Sequence, residues 1–166
     1  MLAVEQARQP RFYTEMGVPD TVDGRFDMIA LHVFLVLRRL KPENARSKAT
    51  AQALFDTMFD DMDRGLRELG AGDLGVGRRV KVMAKAFYGR IAAYDQGLLS
   101  DDENLDEAVL RNIFRGEQGS RDRARLVASY IREQAASLKD QSLDALLSGR
   151  VRFDNPGPDS DGKFAA

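Results

Sequence analysis

The sequence predicts an all-α fold, a single-domain bundle of about six helices, and three observations carry that expectation. Leu, Ala, Met, Arg, Glu and Gln are common along the chain, and these residues lose little on entering a helix. Apolar residues recur every three or four positions rather than alternating, which is the spacing of a helix with one inward face. Val- and Thr-rich runs that would build a sheet are scarce, and clusters such as Gly17-Val18-Pro19 and Gly70-Ala71-Gly72 punctuate the periodic stretches. With 166 residues the chain can bury one ordinary core. Residues 1–150 therefore read as one helical domain, and 151–166, with Asn155-Pro156-Gly157-Pro158-Asp159, as a polar tail expected to be disordered.

The elements follow in order. Residues 3–16 read as the end of a helix whose upstream part precedes Met1, with Pro10 a kink or boundary. From Asp23 to Leu40 the set Phe26, Ile29, Ala30, Val33, Phe34, Leu37 and Leu40 keeps the helical period. Met28, Leu31, Leu35 and Val36 make the remaining sides apolar, so this helix is expected to be buried nearly all round. Arg38, Arg39 and Lys41 suit its C-terminal end, where cations meet the helix dipole, and Pro42 stops it. A third helix, about Asn44 to Leu69, sets Ala51, Leu54, Phe55, Met58, Met62, Leu66 and Leu69 against Asp56, Asp60, Asp63 and Arg67 on the opposite face.

Asp73 reads as the N-cap of a fourth helix, with Val76, Val80, Met83, Ala84, Phe87 and Ile91 inward, a basic stripe of Arg78, Lys81 and Lys85, and Gly97 at its close. Ser100 and Glu103 have capping-box spacing, so a fifth helix is expected from there to about Phe114. Gly116 and Gly119 break the chain. A sixth helix, Ser120 to about Lys139, turns Ala124, Val127, Ala128, Ile131 and Ala135 inward, and Ser142 to Leu147 forms a short last one.

Composition removes several functions. Without Cys there is no disulfide, thiolate metal site or thiol nucleophile. A formal net charge of -1 gives no global field for nucleic acid or an anionic membrane, so a charged partner must meet a local patch. The longest apolar run, Met28 to Leu37 interrupted by His32, falls well short of the roughly 20 residues that span a bilayer. The first residues carry Glu5, Gln6, Arg8, Gln9 and Arg11 rather than a signal peptide's apolar stretch, so a cytoplasmic protein is expected.

Three patterns hint at chemistry, and each has a plainer account. Gly70-x-Gly72-x-x-Gly75 spells the dinucleotide fingerprint, with Asp95 roughly where a ribose-binding acid belongs, but the preceding segment has a helical period instead of a strand. Asp60, Asp61 and Asp63 could hold magnesium against a diphosphate in a prenyl-type or nucleotide enzyme, yet Arg64 and Arg67 sit at i+4 from Asp60 and Asp63, the spacing of helical ion pairs. His32 is the lone histidine, inside the most apolar helix, where a buried imidazole bonded to a neighbouring carbonyl or side chain is the expectation, not haem ligation or a catalytic triad. No metal, cofactor or catalytic residue is expected.

Surface character remains. The acidic stripe and the basic stripe flank one glycine-rich turn, and two faces of opposite sign can orient a partner. Met58, Met62, Met83 and Phe87 read as core, while Phe59 and Tyr88, off the centre of each inner face, are expected to be exposed.

Four blocks carry a resemblance: 18–27 (VPDTVDGRFD), 31–40 (LHVFLVLRRL), 54–63 (LFDTMFDDMD) and 72–81 (GDLGVGRRVK), continued by Phe87-Tyr88-Gly89-Arg90. Over about residues 4–140 the chain resembles the ubiquinol-cytochrome c chaperone family in its bacterial form. The resemblance implies an all-helical assembly factor for the respiratory cytochrome bc complex that binds newly made cytochrome b and has no enzyme activity. It further implies mitochondrial relatives that work with a small partner protein near the ribosome exit, and a location at the inner membrane reached through the client. Phe59, Asp60, Asp61, Asp63, Gly72, Asp73, Arg78, Lys81, Tyr88 and Arg90 are expected to form the outward, client-facing surface, with Gln141 an exposed position outside it. A regulatory helical module for some other partner is the alternative of a different class.

Overall fold

The computed structural model describes residues 2–41, 45–68, 73–100 and 103–156; within the helices the side chains of Gly65, Leu66, Glu68, Asp73, Leu74 and Arg79 are not described. Among the described residues the regular structure is entirely helical. In order these are α1 (Leu2–Ala7), α2 (Pro10–Thr14), α3 (Val22–Arg39), α4 (Ala45–Glu68), α5 (Asp73–Leu99), α6 (Asn104–Asn112), a 3-10 turn (Gln118–Ser120), α7 (Arg121–Asp140) and α8 (Leu143–Leu147). The expected first helix is split at Gln9, because Pro10 has no N–H to continue α1 and instead starts α2 at the position that tolerates it.

The organising element is α3. Thr21 caps it, its hydroxyl accepting from the Gly24 N–H at 3.1 Å, and residues 30–36 are buried on every side. One apolar cluster joins Phe12, Leu31, Phe34 and Leu35 to Leu105 and Val109 of α6 and Val127 and Ile131 of α7. A second joins Ala30 and Val33 to Met58 and Phe59 of α4 and Phe87 of α5. A third seats Val36 and Leu40 against Leu146 of α8. The basic end of α3 also staples its neighbours: Arg38 and Lys41 reach Asp95 of α5 at 2.8 and 3.2 Å, and Arg39 donates to the carbonyls of Leu138 and Gln141. Pro42 lies outside the described residues.

His32 is fully buried, as expected. Its Nδ1 lies 2.7 Å from the Met28 carbonyl and its Nε2 2.9 Å from the Tyr130 hydroxyl. Carbonyl acceptance fixes Nδ1–H as the donor, so Nε2 accepts from Tyr130. Burial holds the imidazole pKa down at about 4, and the ring is neutral at neutral pH.

Three expectations about boundaries need correction. Gly97 does not close α5; the helix runs through it to Leu99, because Gly97 lies where α5 crosses α6 and an added Cβ there would sit 2.7 Å from the Leu105 Cα. The Ser100–Glu103 capping box does not form. Helix α6 starts at Asn104 after an uncapped Glu103, and the Ser100 hydroxyl turns back to the Gln96 carbonyl at 3.3 Å. The segment expected to be a loose tail from residue 151 is docked through residue 154, with Val151 and Phe153 packed on the core. Residues 157–166 lie outside the described residues.

Candidate functional site

Helices α4 and α5 pack against each other as a hairpin, and the aromatic residues of its middle set the surface above them. Phe55 meets Phe59, Phe87 and Tyr88 at ring-centroid distances of 4.6, 5.7 and 5.5 Å. The period of each helix then decides what faces out. Phe59 and Phe87 enter the second apolar cluster, and Tyr88, one position on, remains 59% exposed. Exposure of Tyr88 is as expected; that of Phe59 is not, since α3 packs across the hairpin and covers it to 9%.

The acidic ridge of α4 is exposed at Asp60 and Asp61, and half-exposed at Asp63. Arg64 pairs with Asp61 at 2.8 Å and Arg67 with Asp63 at 2.5 Å, so i+3 and i+4 pairing takes up two of the three carboxylates. Asp60 makes no ion pair among the described residues. No group of three His, Cys, Asp or Glu residues converges as metal ligands would, again among the described residues. On α5, Arg78, Lys81 and Lys85 are exposed and no ion pair engages them among the described residues, and Val82 beside them is 64% exposed. Gly70 and Gly72 lie outside the described residues and Asp73 is described only as the first residue of α5. Gly75 is inside α5 and the element before it among the described residues is helix α4, so no described strand serves the dinucleotide fingerprint.

Arg90 corrects a second expectation. It does not project from the face but turns inward, over the Phe26 ring at 5.5 Å and 2.7 Å from Asp27, a carboxylate with no exposed surface. Arg115, three residues past the end of α6, reaches the other Asp27 oxygen at 2.8 Å, and there the chain adopts a left-handed φ of 54°. Two guanidinium groups would ordinarily depress a carboxyl pKa. Burial outweighs them here and pushes Asp27 up to about 6. The Tyr94 hydroxyl lies buried nearby with no hydrogen-bond partner among the described residues, and burial raises its pKa. This charged joint ties α3, α5 and α6 together under the hairpin face. Sequence reasoning missed it: Asp27 follows the N-terminal turn of α3, where an acid is unremarkable, and nothing local pairs it with residues 63 and 88 positions away.

Among the described residues of the α4–α5 face no nucleophile meets a base; the face is a pair of ridges of opposite sign with an aromatic between. A model of the family described as ubiquinol-cytochrome C chaperone matches residues 14–153. The chain belongs to the ubiquinol-cytochrome c chaperone family. Ubiquinol-cytochrome c reductase complex assembly factor 1 of Mus musculus is 30% identical over 151 residues, which cover 90% of this chain and 51% of that one. The Xenopus laevis assembly factor is 28% identical over 149 residues, covering 89% and 74%. Protein CBP3, mitochondrial, of Saccharomyces cerevisiae is 30% identical over 153 residues, covering 88% and 45%. The chain thus spans about half the length of the mouse and yeast members of the family. The crystal structure of the Cbp3 homolog from Brucella abortus superposes with a TM-score of 0.83 at 40% identity, over 92% of this chain and 84% of that one. No helix among the described residues is long and apolar enough to cross a membrane.

Proposed function

We propose that this chain is an assembly chaperone of the ubiquinol-cytochrome c reductase complex, binding newly synthesised cytochrome b without catalysing a reaction. The family and the names of its relatives support the complex; the α4–α5 face supports the mode of action. That face is the observation that carries the reading: Asp60, Arg78 and Lys81 stand exposed without ion pairs among the described residues, beside Asp61, Asp63 and the exposed ring of Tyr88. Unpaired charges of both signs fix the orientation of a partner, and an exposed aromatic supplies a contact that loses little rotamer freedom. Asp73 opens α5 at the edge of the same face, while Phe59 and Arg90 support it from beneath. The protein works in the bacterial cytoplasm and meets the inner membrane through its client.

A photo-crosslinking residue at position 60, 78 or 88 is expected to capture newly made cytochrome b in cells. The control is Asp122, whose side chain is 94% exposed on α7, away from the hairpin. Gln141 does not serve as that control, because it holds the chain segment that follows α8. Equal labelling from position 122 contradicts the assignment of the face. The magnesium-dependent enzyme has no observation in its favour beyond the spelling of the Asp cluster. Calorimetry with magnesium and diphosphate is expected to register no binding.

A further inference from the structure

The segment after α8 is held in an unusual way. Among the described residues, 151–156 make no backbone–backbone hydrogen bond. Three glutamine side chains receive the strap instead. Gln141 accepts from the Arg152 N–H at 3.0 Å and donates to the Arg152 carbonyl at 2.8 Å. Gln134 accepts from the Asp154 N–H at 2.9 Å and donates to its carboxylate at 3.3 Å, and Gln6 donates to the Asp154 carbonyl at 2.8 Å. Arg152 and Asp154 are two apart, so they point the same way from an extended chain, and Val151 and Phe153 point the other way, into the core. Phe153 packs edge-on to His32 at 5.2 Å and touches all three apolar clusters.

We propose that the trough between α1, α3 and α7 is a binding site for an extended peptide of apolar-any-apolar pattern, and that residues 151–154 are its resident, displaceable occupant. A carboxamide has one acceptor and one donor end and so grips any residue's N–H and C=O, whatever the side chain. Four of the five strap bonds are of this kind, which makes recognition tolerant of sequence and leaves the Phe153 socket as the selective element. Gln134 is fully buried and its hydrogen bonds among the described residues go only to the strap. With the strap lifted that amide is left to water alone, and another segment that offers an N–H and an acceptor restores what the strap supplied. Room for a longer segment exists on both sides. A groove of about 700 Å³ runs past Gln6, Gln9, Ser137 and Gln141, and one of about 420 Å³ past Leu2, Val36, Leu54 and Leu147. The site rests on the chaperone reading only in naming the client as the source of the competing segment.

The test uses the full chain carrying Phe153→Ala and a fluorescein-labelled peptide with the sequence of residues 150–155. The variant is expected to bind the peptide saturably and one to one, with its melting temperature restored toward wild type. The unsubstituted chain, whose own strap competes, should bind about tenfold or more weakly. A helical variant that binds nothing, or that binds equally well a peptide with Ser in place of Phe, overturns the proposal. Where Phe153→Ala does not fold, amide exchange on the wild-type chain decides. The Arg152 and Asp154 amides are expected to exchange about 100-fold faster than those of Val127 and Ile131, through local opening. Equal rates would mean that the strap leaves only when the whole molecule unfolds, and that ends the proposal. A chain that captures cytochrome b yet fails these tests loses the strap site and keeps the chaperone function, and the reverse result separates them the other way.

Discussion

Two buried ionisable residues of α3 set opposite pH dependences. Asp27 has a folded pKa of about 6 against an ordinary 3.8, so its contribution to stability is complete below pH 3.8 and is lost as pH rises through 6. His32 has a folded pKa of about 4 against 6.5, so its contribution is present above pH 6.5 and is lost as pH falls through 4. At about 1.4 kcal/mol per pKa unit each effect is worth about 3 kcal/mol, and between pH 4 and 6.5 they nearly cancel. Asp27→Asn removes one side of the balance and strands Arg90. Urea unfolding of that variant is expected to show lower stability throughout and, between pH 6.5 and 4, a further loss of about 3 kcal/mol that the wild-type chain lacks. A flat profile in the variant would mean that His32 is not the buried neutral group described. Tyr94→Phe is expected to cost nothing, or to stabilise by about 1 kcal/mol, because the hydroxyl it removes has no partner among the described residues. At this scale the sequence was legible for His32, whose apolar surroundings are contiguous along α3. It was silent for Asp27, whose partners arrive from other helices.

Among the elements, the four long helices were legible within one or two residues, because α4, α5 and α7 each bury one apolar stripe that repeats over many turns and α3 is apolar nearly all round. What failed were boundaries decided by contact with another element. Gly97 has the identity of a helix terminator, yet the crossing with α6 uses its missing side chain and the helix continues. Gly89, also inside α5, has open space around the position of a Cβ. The two glycines therefore respond oppositely to alanine. Gly97→Ala is expected to lower stability by about 2 kcal/mol or more, since the α6 backbone must move. Gly89→Ala is expected to raise it by up to about 1 kcal/mol through helix propensity alone. Thermal unfolding of the pair checks both signs, and a loss at Gly89 would show that this face is covered. The capping box failed for a related reason: its letters recur by chance, whereas a cap works only where the backbone leaves an N–H in reach.

For the whole molecule, α3 is the buried axis: α6, α7 and the C-terminal part of α5 pack on it through the first apolar cluster, α4 and the middle of α5 through the second, and the strap closes the seam where the clusters meet. The hairpin face was readable as charge stripes because exposed helix positions keep their period, and Asp60, Arg78, Lys81 and Tyr88 are where that period places them. Phe59 and Arg90 were misplaced because exposure near the edge of a stripe depends on which neighbour packs there, and α3 covers both. The docked strap was hidden by its composition, since polar residues around one Phe read as a tail until the glutamines that hold its main chain are seen. The central claim is that this architecture serves an immature subunit of the respiratory complex. It is tested most directly by deleting the gene in its host, restoring either the wild-type chain or one with Asp60→Lys, Arg78→Glu and Lys81→Glu together, and measuring cytochrome b and bc-complex activity. The account predicts that both fall on deletion, that the wild-type chain restores them, and that the folded charge-reversed chain does not. Normal cytochrome b and normal bc-complex activity in the deletion strain would contradict it.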